Sequence, residues 1–228
     1  MTQGYCFLSV VPLRREPSHR SEMVSQLLRA ETFDVVESQP EWSRVRCHHD
    51  GYEGWVDNKQ YHILDGAKNK NSLGTLLTED EAQVRGMRER IASPSEVARR
   101  FYLGAPYLWG GRSPAGIDCS GLVQVCFQAC GIQLLRDASQ QVTQGREVPG
   151  LVQVVPDDLC FFGSSPDHIT HVAMVISDGS VIHSSGYVRI DPIDDKGIYN
   201  KDTHQYSHTL QCVRRIIEAP FNNNKPAQ

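Results

Sequence analysis

The sequence predicts an α+β protein with a small all-β domain ahead of the main one, and three observations carry that prediction. Residues 4–64 break into short strand-like runs separated by turns. A polar, Gly/Asn-rich stretch, "GAKNKNSLG", follows and reads as a linker. Beyond it come one apolar helix and then a run of strands, rather than the alternation that a parallel sheet needs. The expected organisation is a β domain over 1–65, a linker and helix over 66–92, a second domain over 93–220 and a disordered tail over 221–228.

In chain order, "YCFLSVVPL", "ETFDVVES" and "WSRVRCHH" are strand-like, with "QPE" as a turn between the last two. "DGYEGWVD" sets Asp-Gly at a tight turn before an aromatic strand, and about sixty residues of this kind suggest a small barrel. "TLLTEDEAQVRGMRERIA" is charged and helical in character. "SPSEVARRFYLG" carries a helix start, with Ser93, Pro94 and Glu96 spaced as in a capping box and Gly104 as the stop. A Gly-rich loop, "PYLWGGRSPAG", leads to the helix that begins near Cys119. "LVQVV", "LCFFG", "HITHVAMVIS", "SVIHSSG" and "HTLQCVRRII" read as strands.

The chain has 228 residues and a net charge of -4, with no Lys/Arg stripe of the kind that binds nucleic acid. No apolar run approaches a membrane span. The first residues lack the basic-then-apolar pattern of a signal peptide, so a cytoplasmic protein is expected; a chain whose leader had been removed and which had been exported would look the same. The seven cysteines are odd in number and none has C-x-x-C spacing, so most are expected to be reduced and buried. A monomer without metal or cofactor is expected.

The chemistry turns on Cys119. At helical spacing it shares a stripe with Cys126 and Cys130, which reads as buried core. Cys119 differs from them by standing at the helix start, behind Asp118 as N-cap and before Ser120. There the unpaired amide N–H groups and the positive end of the helix would lower its pKa. The residues alone leave core and nucleophile both open.

Nine histidines are present; His19, His48, His49, His62, His204 and His208 fall in or beside polar stretches and read as solvated, and His168 as exposed. His171 and His183 lie within apolar strands and form a candidate base and orienting pair. "SDGS" between them is a hairpin turn. A two-residue Asp-Gly loop would pair Met174 with His183 and set the two histidines on opposite faces, so a bulge or longer loop is required.

"PYLWGGRSPAGIDCSGLVQVCFQACGI", "LLRDASQQ", "PDDLCFFG", "ITHVAMVI" and "VIHSSG" together resemble the NlpC-type, papain-like cysteine peptidases of bacterial cell-wall metabolism, from about residue 95 to 217. The resemblance implies a papain-like domain with Cys119 as nucleophile, His171 as base, His183 as orienter and Tyr107 at the oxyanion site. It places Asp118, Ser120 and Trp109 at the substrate, and Asp137 at the free amine of the peptide. The position after Asp137 is often Ser in the subgroup and is Ala138 here, so a hydroxyl contact is lost or moves to Ser139. "PSHRSEMVSQLLRAETFDVVE" and "DGYEGWV" resemble the bacterial SH3-like domains fused to enzymes that trim γ-D-glutamyl peptides. In that subgroup the domain closes one end of the groove and lends an acidic residue and a tyrosine, for which Glu22 and Tyr52 are the candidates.

The function this implies is hydrolysis of the γ-D-glutamyl–L-diamino acid bond in murein peptides with a free N-terminal L-Ala, for cell-wall peptide recycling. The alternatives are an extracellular hydrolase of intact peptidoglycan and a non-catalytic murein-binding protein.

Overall fold

Val11, Leu13, Leu27, Phe33, Val45 and Val56 stand at alternate positions of short runs, and burying that face makes a sheet of the first region. In the computed structural model, which describes residues 2–64, 93–176 and 179–218, seven strands form there. They are β1 (Thr2–Tyr5), β2 (Val10–Arg14), β3 (Met23–Leu28), β4 (Thr32–Ser38), β5 (Trp42–Cys47), β6 (Glu53–Asp57) and β7 (His62–Ile63). All pairings are antiparallel, in the order β3-β2-β6-β5-β4-β1-β7. The stretch expected as one strand over 5–13 is divided between β1 and β2, because Cys6 turns toward Ala30 and Glu31 through backbone bonds of 2.8 and 2.9 Å. Strand β3 escapes the pattern of apolar residues because its Ser25 and Gln26 are themselves buried. The linker and helix expected over 66–92 and the tail lie outside the described residues.

The chain forms two compact units. The first joins residues 2–64 with 108–116, and the second joins 93–107 with 117–218 over its described part. The segment 108–116 thus leaves the second domain of the sequence and belongs to the first unit. Gly110 makes this possible: its φ is +76°, and a Cβ there would stand 2.4 Å from the carbonyl oxygen of Met23. Arg112 then anchors the segment. Its guanidinium, fully buried, donates to Glu31 Oε2 at 2.8 Å and Oε1 at 2.9 Å and to the Gln26 carbonyl at 2.7 Å. Two-residue strands β8 (Arg112–Ser113) and β9 (Gly116–Ile117) lie in this loop.

The second unit begins with α1 (Pro94–Phe101), capped by Ser93, whose Oγ accepts the Glu96 N–H at 3.4 Å. Helix α2 (Cys119–Ala129) and the short α3 (Ala138–Gln141) follow. Strands β10 (Arg146–Glu147), β11 (Leu159–Ser165), β12 (His168–Ile176), β13 (Ser180–Ser185), β14 (Tyr187–Asp194), β15 (Gly197–Asn200) and β16 (Gln205–Arg215) run in the order β10-β16-β11-β12-β13-β14-β15. A further β15–β16 pairing closes that sheet on itself. Val148, Cys160, Phe162, Ala173, Val175, Val181, Ile198 and Val213 pack together. Helix α2 packs on β12 and β13 through an almost wholly buried surface.

One expectation needs correction. "LVQVV" is not a strand: Leu151–Gln153 is one 3-10 turn, entered through Gly150 at φ +77° and left before Pro156, with Val152 99% exposed. The longer loop that the two histidines require is present: the hairpin register is Met174↔Ile182, Val175↔Val181 and Ile176↔Ser180, so three residues connect β12 and β13. Gly179, the last of them, has φ +64°, the left-handed residue that ends a three-residue loop. That shift of one residue puts His171 and His183 on one face. No disulfide joins the seven cysteines; Cys126 is buried as expected, while Cys130 is half-buried at the cap of α2.

Candidate active site

Asp118 has extended backbone, and its Oδ1 accepts the Gly121 N–H at 2.7 Å, which fixes Cys119 as the first residue of α2. The cap is itself held. Arg136, buried, donates to Asp118 Oδ1 at 3.1 Å, to Oδ2 at 2.6 Å and to Ser120 Oγ at 2.9 Å. Gln141 Nε2 donates to the Ser120 carbonyl at 3.0 Å. Asp118 and Ser120, expected at the substrate, are therefore both buried and engaged by the protein.

The helix start was expected to lower the thiol pKa. Instead burial, followed by the Asp118 carboxylate, pushes Cys119 up to about 12, against backbone hydrogen bonds from Val172 and Ser120. His171 is held well below the ordinary histidine value by burial, then by neighbouring His208 and His183. Both shifts favour the uncharged form of the group.

Behind His171 runs a chain of hydrogen bonds. His171 Nε2 lies 2.9 Å from His183 Nδ1, and His183 Nε2 lies 3.1 Å from Asp191 Oδ2. Asp191 is fully buried. Burial raises its pKa, but hydrogen bonds from His183 and Arg189 outweigh that and hold it far below the usual carboxylate range. Arg189 donates to its two oxygens at 2.6 and 3.0 Å. A carboxylate only accepts, so His183 Nε2 carries a hydrogen and, in the neutral chain, Nδ1 accepts from His171 Nε2. The network thereby assigns the bare nitrogen of His171 to Nδ1.

A pocket of about 260 Å³ is lined by Tyr107, Cys119 and His171, with Gly186 and His208 among its other walls. Tyr107 is placed by its backbone, its N–H donating to the Gly186 carbonyl at 2.9 Å. Its phenol is pushed up to about 12 by burial and the nearby Cys119 and Asp118, which keeps it a donor. Asp137 is half-buried at the start of α3, where its N–H donates to Gln140 Oε1 at 3.0 Å. Ala138 is buried, whereas Ser139 is exposed.

In the first unit two expected substrate residues meet each other. Trp109 Nε1 donates to Glu22 Oε1 at 2.7 Å, and Arg15 Nε pairs with Glu22 Oε2 at 2.8 Å. Glu22 lies in the β2–β3 loop, and Tyr52 is half-buried in the β5–β6 turn.

Sequence reasoning missed four contributors, namely Asp191, Arg189, Arg136 and His208. Arg189 and Asp191 alternate with apolar neighbours in "VRIDPID", so reading that run as a strand would have exposed an inward charged pair. His208 is not solvated. Its ring stacks on His171 at 4.0 Å and 23°, and burial lowers its pKa to about 4. It shares its parity along β16 with Leu210, which packs against the core, and that was its signal. Arg136 had no signal beyond an apolar run ahead of it.

Residues 104–207 match the NlpC/P60 family, and residues 13–60 match the bacterial dipeptidyl-peptidase SH3 domain. The chain carries an NlpC/P60 domain behind a bacterial SH3 domain. It is 42% identical over 86 residues to the gamma-D-glutamyl-L-lysine dipeptidyl-peptidase of Bacillus subtilis, covering 37% of this chain and 29% of that one. The enzyme of the same name from Bacillus cereus is 25% identical over 245 residues, covering 79% of this chain and 73% of that one. Against the mycobacterial proteins named "probable endopeptidase" the identity is 42% over 98 residues, and the chain spans about a quarter of their length, 24%. A solved NlpC/P60 family protein from Bacillus cereus covers 94% of this chain and 63% of its own at 21% identity, with a TM-score of 0.44. Among the described residues no helix is long and apolar enough to cross a membrane.

Proposed function

We propose that the NlpC/P60 domain is a cysteine peptidase that cleaves the amide between γ-D-glutamate and an L-diamino acid, diaminopimelate or lysine, in murein peptides with a free N-terminal L-Ala. The observation that carries this reading is the pocket shared by the Cys119 thiol and a His171 oriented through His183 and Asp191. The Bacillus relatives named for the γ-D-glutamyl-L-lysine bond support the choice of substrate.

In this mechanism the Cys119 sulfur attacks the γ-carbonyl as its proton passes to His171 Nδ1, forming the C–S bond and an oxyanion. The Cys119 N–H and the Tyr107 hydroxyl stabilise that oxyanion. His171 returns the proton to the leaving amine as the C–N bond breaks, and water then hydrolyses the thioester. The Asp137 carboxylate binds the ammonium of L-Ala. A site built for an amine rejects substrates lacking it, because its own polar groups would be left unpaired. Such selectivity suits short released peptides, as in recycling, rather than intact wall.

The test compares free and N-acetylated L-Ala-γ-D-Glu-diaminopimelate, with products identified by mass spectrometry. The expected result is cleavage after γ-D-Glu, and a kcat/KM lower by orders of magnitude for the acetylated peptide. Equal kcat/KM for the two would overturn the amine selectivity, and absence of cleavage in both would overturn the peptidase.

A further inference from the structure

A second buried set of Cys, His and Asp lies in the first unit and plays no part in the proposed reaction. One donor atom each from Cys47, His49 and Asp50 fall within 4.8 Å of one another. Cys47 is buried at 2% exposed, and His49 and Asp50 are half-buried with side chains 12% and 1% exposed. Neither ring nitrogen of His49 makes a hydrogen bond, although Asp50 Oδ2 stands 3.2 Å from Nε2 and Glu31 Oε1 3.8 Å from Nδ1. The imidazole thus faces carboxylates on both sides at ion-pair distance but lacks the hydrogen bonds that buried polar groups ordinarily have.

We infer that Cys47, His49 and Asp50 form a zinc site. The donor set of thiolate, imidazole and carboxylate is that of zinc, and a hard cation would not select a thiolate. An ion about 2.0–2.3 Å from each donor spans the present separations after small side-chain rotations. With Nε2 on the metal, Nδ1–H of His49 faces Glu31, which gives the carboxylate–histidine–metal arrangement of zinc proteins. Glu31 is fixed for that task by the bidentate Arg112.

Charge points the same way. Two carboxylates, Asp50 and Glu31, stand beside His49 at this cluster. Arg112 balances one of them. A divalent cation balances the other together with the thiolate, and the thiol proton leaves to solvent as the metal binds. Three protein donors leave a fourth position for water.

The competing arrangement is a metal-free His49 imidazolium caught between Asp50 and Glu31. The two are separated by cobalt(II) titration of the full chain carrying Cys119→Ala, which removes the thiol from the other histidine cluster. Zinc binding predicts a thiolate-to-cobalt charge-transfer band that saturates at one equivalent and is erased by added zinc. The band is lost in His49→Gln and in Cys47→Ser. Zinc should raise the unfolding temperature of the parent and leave that of His49→Gln unmoved. Cys47 is a core residue, so His49→Gln is the deciding variant if Cys47→Ser fails to fold. Absence of the band in the parent, or its persistence in His49→Gln, overturns the site.

Discussion

The molecule buries two sets of cysteine, histidine and aspartate, and they differ in how their imidazoles are satisfied. In the second unit His171 and His183 are joined by a hydrogen bond and end on Asp191, which Arg189 holds in turn. In the first unit His49 has carboxylates near both nitrogens and a hydrogen bond to neither. The residue types are the same in both; direction is not. A directed chain tells each nitrogen whether it gives or takes a proton, which is what acid–base catalysis needs. Convergent donors without direction are what an ion needs.

The comparison breaks most sharply at the two cysteines. Cys119→Ala is expected to lower kcat by on the order of 10⁴–10⁶, as for one member of a catalytic unit, with urea unfolding little changed. Cys47→Ala is expected to do the reverse, lowering the unfolding midpoint through loss of core packing. Substantial turnover in Cys119→Ala would remove the distinction.

Each set also leans on a buried arginine. Arg136→Ala strands the Asp118 carboxylate beside Cys119, and Arg112→Ala strands Glu31 beside His49. Loss of one partner from a buried pair costs about 3–5 kcal/mol, so both variants should show it in urea unfolding. A cost under about 1 kcal/mol, the value of an exposed pair, would show that water reaches the carboxylate.

Asp191→Asn tests direction alone. An amide can donate toward His183 and so unsettle the tautomer of His171. We expect kcat to fall by less than the ~10²-fold of a direct proton-transfer group, with KM unchanged. A rise in KM with kcat intact would mean that Asp191 shapes the pocket instead.

The smallest effect is in pH. His208 titrates near 6.5 when unfolded and about 4 in the native protein. Between those values the unfolded chain binds more protons, so stability falls as pH drops from 6.5 to 4 and is fully present above that window. His171, also lowered, contributes in the same direction. In His208→Phe the slope of unfolding free energy against pH should flatten without vanishing. The acid limb of kcat/KM should lie below pH 6.5, the ordinary histidine value, because His171 remains an unprotonated base there.

Much of this was legible in the sequence where chemistry and position coincide. Asp118 before an apolar helical run marked the helix start and Cys119 with it, and His171 and His183 stood out as ionisable residues within apolar strands. What stayed hidden depends on contacts between distant segments. Arg136 reaches Asp118 across eighteen positions, and His208 reaches His171 across the β11–β16 pairing. The lowered thiol pKa failed for the same reason: a helix start is a local feature, and burial, which outweighed it, is not.

The register of the β12–β13 hairpin has a consequence for how the chain avoids error. Asp178-Gly179 is the dipeptide that most favours a two-residue hairpin loop, so the local chain prefers a pairing one residue away from the native one. The slipped hairpin would turn His183 to the other side and part it from His171, Asp191 and the core beneath Val181. The native alternative is upheld from outside the turn, in part by the imidazole contacts of His183 with His171 and Asp191, and by the Ser184 hydroxyl on the Ile117 carbonyl at 2.8 Å. On the proposed mechanism the same residues therefore also act as a check on assembly: a molecule folded in the wrong frame cannot present the pair at all, and misfolded copies would be inert rather than miscatalytic.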